Sequence, residues 1–214
     1  MRWFRGTDEI QARPAIKPSA HPRISRHSTG FGEFTRTLAG CGNPVVLDLG
    51  PTSSANISFL TGFGGRVYNE DILRGAREAV DGLKQGETPE KLEPEKFFAE
   101  YLAHPDHRFD AILCWDIPDY LHEALVKPMI ERTSRILRPG GVLLAFFHTK
   151  DAGPDSPYCR YHIAQRDVLE LESGPDFRLQ RIFNNRHIEN LFKEFSSLKF
   201  FLARDNIREV LAVR

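Results

Sequence analysis

Cysteine is scarce in this chain. Cys41, Cys114 and Cys159 stand far apart in 214 residues. An odd, scattered set of three builds no disulfide framework and fits a reducing cytoplasm. Net charge is lacking too: lysine plus arginine number 29, aspartate plus glutamate 29. A general polyanion-binding surface is not expected, which argues against nucleic acid as a partner. Long apolar runs are missing. VLLAFF, Val142 to Phe147, is the longest and falls well short of the roughly 20 residues that span a bilayer. Arg2 and Arg5 are followed by no apolar core, so neither a signal peptide nor membrane attachment is expected. His104-x-x-His107 and Cys159-x-x-His162 each lack a second pair at a recognised metal spacing, and no metal is expected.

What remains is an ordinary globular composition, rich in phenylalanine, at a length that suits one α/β domain. Residues 1–27 carry Pro14, Pro18 and Pro22, an excess of basic groups and no apolar periodicity. They are expected to form a flexible or lid-like arm before a domain at 28–214. Phe31, Phe34 and Leu38 then share one helical face, and Gly40 and Gly42 end that helix. PVVLDLG is a short continuous apolar run, as in a strand buried on both faces. A short helix (Ala55, Ile57, Phe59, Leu60), glycines at 62, 64 and 65, and the strand RVYNED complete a compact βαβ unit.

Residues 73–104 look mostly helical, with one stripe at Leu73, Ala76, Ala79, Val80 and Leu83 and another at Phe97, Phe98, Tyr101 and Leu102. A doubly wound domain normally places a third strand before residue 109, and none is legible. FDAILCW, 109–115, is the next strand. Pro128 is expected in the first turn of a helix running to Leu137. RPGG then leads into the strand VLLAFFH. Asn184 or Asn185 can cap a helix bearing Ile188, Leu191, Phe192 and Phe195. The tail, SLKFFLARDNIREVLAVR, forms an antiparallel hairpin.

Four segments in this order resemble the class I S-adenosylmethionine-dependent methyltransferases: VLDLGPTSSAN, the acid of VYNED, FDAILCWDIPDYL and RILRPGGVLLAFF. The terminal hairpin is similar to the reversed strand of that fold. The resemblance covers about 30–214. It implies an α/β, doubly wound, Rossmann-like sheet, mostly parallel, with S-adenosylmethionine as cofactor and a small-molecule acceptor. The first motif departs from a phosphate cradle, with Thr52 and Ser54 where a dinucleotide loop needs glycine. S-adenosylmethionine has no phosphate. Asp48 can take its ammonium, and donors of Gly50, Pro51, Thr52, Ser53 and Ser54 can take its carboxylate. Pro51 contributes shape rather than an N–H. A structural role for Asp48, capping a turn, is the alternative.

The resemblance implies a carboxylate on the ribose hydroxyls. Asp71 fits that pattern best and Glu70 stays open, because strand side chains alternate. Trp115 and Asp116 are expected over the cofactor. Trp115 can equally be a half-buried strand-end aromatic. Asp116, Asp119, Tyr120 and His122 are acid–base candidates, and no catalytic residue stands out. Lys150 to Arg166, with Tyr158, Arg160, Tyr161 and His162, is expected at the acceptor entrance. A non-catalytic descendant with a degraded pocket is the competing expectation, and a methyltransferase for nucleic acid or protein a third.

Overall fold

The computed structural model describes residues 22–84, 88–149, 156–202 and 205–214. A six-stranded sheet forms its centre. Its strands are β2 (Val45–Asp48), β3 (Arg66–Asn69), β4 (Phe109–Trp115), β5 (Leu137–His148), β8 (Ser197–Leu202) and β9 (Ile207–Val213), in the order β3-β2-β4-β5-β9-β8. The first four are parallel, and β9 runs antiparallel to both β5 and β8. β3 forms one edge. Along the chain no strand forms between β3 and β4 among the described residues, where the sequence too showed none.

Alternation along the strands divides two cores. Leu47, Ile112, Cys114, Leu143 and Phe147 face α3 (Ile72–Asp81), α4 (Pro94–Tyr101), α6 (Glu123–Ile136) and α7 (Asn185–Leu191). Val46, Ala111, Leu113, Leu144 and Phe146 face α1 (Thr29–Gly40) and α2 (Ser54–Thr61). Local chemistry sets the helix ends. The side chains of Ser28, Ser53, Asp71 and Asn184 each accept a backbone N–H at the head of α1, α2, α3 and α7. Pro128 is not in the first turn as expected. It sits inside α6, which starts five residues earlier at Glu123 with His122 as its cap.

The sequence did not reveal a second sheet. β1 (Ile24–His27), β7 (Val168–Ser173) and β6 (Cys159–Gln165) form an antiparallel triplet in the order β1-β7-β6. Residues 24–27, expected in the arm, are therefore a paired strand in which Arg26 is buried. Residues 1–21 lie outside the described part. The segment expected only to flank an entrance becomes β6, and it packs on α2. Asn56 on α2 ties it down, donating to the Tyr161 carbonyl (3.1 Å) and accepting from the Ile163 N–H (2.8 Å).

Candidate active site

Chain direction diverges from β2, to β3 on one side and β4 on the other. In open α/β sheets that switch point is where a ligand cleft forms, at the carboxyl ends of the strands. Asp48 ends β2 there and is 2 % exposed. Its Oδ1 accepts from the Gly50 N–H (3.0 Å) and from the Trp115 indole N–H (2.6 Å); its Oδ2 accepts from the Asn56 amide (3.1 Å). Burial raises its pKa, and these three hydrogen bonds offset only part of the rise.

Trp115 reaches Asp48 through a distorted backbone. β4 slips register between Leu113 and Trp115, and Trp115 adopts φ 52°. A bulky residue in that left-handed region costs of order 1–3 kcal/mol, and such strain concentrates at functional sites. The indole lies in the space that glycine leaves at position 50: a Cβ there would meet Trp115 Cδ1 at 2.8 Å and Nε1 at 3.0 Å. Tyr161 of β6 stacks on the indole, centroids 5.1 Å apart and planes 3° from parallel.

The rest of the loop is bonded inward. Thr52 hydrogen-bonds the Asn69 side chain, whose amide donates to the Asp48 carbonyl (3.1 Å) and the Gly50 carbonyl (2.7 Å). Ser53 Oγ lies 2.9 Å from His162 Nδ1, and His162 Nε2 lies 3.1 Å from Glu172. Burial lowers the His162 pKa, with Arg23 adding to the effect, so the ring is neutral near pH 7. Ser54 is exposed on the first turn of α2, and Pro51 has no N–H to offer. Asp71 follows β3 and caps α3 through the Arg74 N–H (3.1 Å). Glu70 turns to His104 instead, 3.2 Å away.

Across the Trp115–Tyr161 pair lies a second polar centre. Asp116, 2 % exposed, accepts from the Tyr161 hydroxyl through Oδ2 (3.0 Å), and its Oδ1 has no protein partner. Burial pushes its pKa up to about 7, Asp119 adds to the rise, and His148 opposes it. Asp119 lies on the short helix α5 (Ile117–Tyr120) and holds His148, at the end of β5, by two contacts: the backbone N–H (2.6 Å) and Nδ1 (2.9 Å). Burial would lower the His148 pKa, but the Asp119 bond and the charges of Asp116 and Asp119 outweigh it and leave the pKa raised. A cavity of about 770 Å³ adjoins this centre, lined by Asp116, His148, Tyr161 and Arg26 among others.

Residues 47–145 match the model of a methyltransferase domain. Among solved structures, an S-adenosylmethionine-dependent methyltransferase from Archaeoglobus fulgidus superposes with TM-score 0.51 at 10 % identity, covering 85 % of this chain and 90 % of that one. A Sulfolobus solfataricus protein assigned as a type 11 methyltransferase gives 0.50 at 15 %, covering 88 % and 94 %. The 1,6-didemethyltoxoflavin-N1-methyltransferase of Burkholderia thailandensis, solved with 1,6-didemethyltoxoflavin and S-adenosylhomocysteine, gives 0.47 at 18 %, covering 87 % and 79 %. No curated protein matches. Residues 47–145, a little under half of the chain, thus match a methyltransferase domain, and the fold is that of S-adenosylmethionine-dependent methyltransferases.

The residue types of this methyltransferase domain suit its cofactor, but their present conformation does not admit it. Asp48 has both oxygens engaged by protein donors, and Trp115 fills the hollow over Gly50. Sequence reasoning placed Asp48, Gly50, Trp115 and Asp116 together, and they are together. It missed Asn56, Asn69 and His148, and it put Tyr161 and His162 at an acceptor entrance. Tyr161 lines the cavity beside Asp116 and also stacks on Trp115, while His162 lies against Ser53 of the loop after β2. The alternating Leu169 and Leu171 in DVLELES, a strand signal, marks the hairpin that carries them. The histidines of the two isolated pairs have local partners: His104 meets Glu70, His107 meets Arg214, and His162 meets Ser53 through Nδ1.

Proposed function

We propose that this chain transfers a methyl group from S-adenosylmethionine to a small-molecule acceptor, from a state in which Trp115 has left the hollow over Gly50. The observation that carries the reading is Asp48, buried at the switch point and followed by a short loop of small residues. Once the indole withdraws, Asp48 regains an oxygen for the cofactor ammonium. Gly50 to Ser54 then edge the methionine end, and Asp71, at the head of α3, is the carboxylate for the ribose. Glu70 is held by His104, which leaves that role to Asp71. Asp116 and the cavity beside it lie on the acceptor side, and a volume of about 770 Å³ is that of a small-molecule pocket. No helix among the described residues is long and apolar enough to cross a membrane. The three cysteines are unpaired, which supports a cytoplasmic setting.

Isothermal titration with S-adenosylmethionine and S-adenosylhomocysteine tests this. Saturable heat that is lost in Asp48→Ala and Asp71→Ala supports the reading; no heat with either ligand overturns it. One observation favours a second reading, a non-catalytic descendant of the fold. The seat is closed by strained, hydrogen-bonded tryptophan rather than by loose side chains. On that reading Trp115 never leaves.

A further inference from the structure

The cavity next to Asp116 carries an unbalanced set of charges. Asp116, Asp205 and Glu209 line it, and Asp119 stands behind His148. Among the described residues the one permanent cation on its wall is Arg26, whose guanidinium pairs with Asp205 and, at 2.8 Å, with Glu209, while its buried Nη1 has no protein partner. Arg26 is a buried residue of β1, and its two ion pairs neutralise those acids. Asp116 has no permanent cation of its own among the described residues, only the titratable His148. Asp116 lines the cavity, and its Oδ1 is buried with no protein partner. A buried carboxylate oxygen in that state is costly unless a donor meets it. Nδ1 of His148 is fixed on Asp119, which orients the ring and leaves Nε2 as the free ring position. The remaining wall mixes apolar side chains, Ile24, Leu171, Phe201 and Ile207 among them, with polar ones such as Thr29, Ser156 and Asn206.

We propose that this cavity is a binding site for a small arylalkyl amine, held as its ammonium on Asp116 with its hydrocarbon part against Leu171, Phe201 and Ile207. The inference deepens the function proposed above, because this amine would be the methyl acceptor. Binding itself needs no methyl donor. Among the described lining residues three carboxylates face one permanent cation, which disfavours acidic ligands. A neutral apolar ligand would leave Asp116 Oδ1 unmet. The groups facing Asp116 are the Tyr161 hydroxyl, His148 and Asp119, and those facing His148 include Asp205 as well. Binding of an ammonium therefore favours ionised Asp116 and neutral His148. Affinity rises with pH through about 7, where Asp116 loses its proton, and levels off above it.

Phenethylamine and 3-phenylpropionate, close in shape and opposite in charge, are the probes, titrated into the full chain by heteronuclear NMR without any methyl donor. Phenethylamine is expected to bind saturably and to shift the His148 ring resonances. It should bind about tenfold or more weakly to Asp116→Asn, the loss of one charged hydrogen bond. 3-Phenylpropionate is expected not to saturate. The pH series on the unaltered protein gives a second measure that does not depend on the variant folding. Equal or tighter binding of the carboxylate, phenethylamine affinity that is flat between pH 6 and 8, or no saturation by phenethylamine up to roughly 10 mM overturns the proposal. Failure of S-adenosylmethionine to bind would defeat the methyltransferase function and leave this result standing.

Discussion

Replacing Trp115 by phenylalanine removes one N–H and keeps an aromatic ring on Tyr161. In the folded chain Asp48 Oδ1 then retains only the Gly50 N–H, having lost the indole donor at 2.6 Å. A hydrogen bond to a charged group contributes about 1.5–3 kcal/mol. Stability should fall by that amount, a shift in Tm of roughly 3–12 °C for a domain of this size. Cofactor affinity should move the other way. In the unaltered chain S-adenosylmethionine must break the Trp115–Asp48 bond before it can reach the carboxylate; in Trp115→Phe that step is absent. The same 1.5–3 kcal/mol corresponds to about 10- to 100-fold tighter binding. Stacking on Tyr161, worth of order 1 kcal/mol, survives in the variant and keeps the gain from exceeding this range. Denaturant unfolding and calorimetric titration of the two proteins give both numbers. A variant that loses stability and also loses cofactor affinity would refute the idea that the indole competes with the cofactor for Asp48.

Three further outcomes follow from the same structure. Asp116 is raised to about 7 from an ordinary 3.8, so its stabilising effect is full below about pH 4 and is lost as pH rises to 7. Up to about 4 kcal/mol is involved, and Asp116→Asn should flatten unfolding free energy against pH across that window. Asn56→Ala removes the anchors to Asp48, Tyr161 and Ile163, which should lower stability by about 2–4 kcal/mol. Its sharper signature is faster hydrogen exchange at the Ile163 amide than at strand amides of β4. Glu209→Gln leaves the buried Arg26 guanidinium with Asp205 as its partner and should cost about 3 kcal/mol in denaturant unfolding. A loss below 1 kcal/mol would mean that Asp205 alone suffices.

The parallel core was legible because strands buried on both faces carry their signal in consecutive residues. VVLD, FDAILCW and VLLAFFH each stand out without knowledge of their neighbours. The lack of a third strand was legible for the same reason. The β6–β7 hairpin was not, because its half-buried strands are short and mix Arg160, His162, Glu170 and Glu172 with the apolar positions. Those polar residues make sense only once β1 and α2 are in place: Arg23 reaches Glu170 and Glu172, and His162 reaches Ser53. Pro128 misled the placement of α6, since proline in a first turn is the usual pattern and here α6 starts at His122 and Glu123. Trp115 does lie against the loop after β2, but its direction was beyond sequence. That direction depends on a bulge and a left-handed backbone, and no residue type at 113–116 encodes either.

The most direct test uses the two tryptophans. With Trp3→Phe as background, fluorescence reports Trp115 alone. Titrating S-adenosylhomocysteine into that protein should give a saturable change in emission as the indole leaves Asp48 and Tyr161, with a midpoint equal to the calorimetric Kd. Calorimetric binding with unchanged emission would contradict the account, because the ligand would then be held somewhere other than the hollow over Gly50.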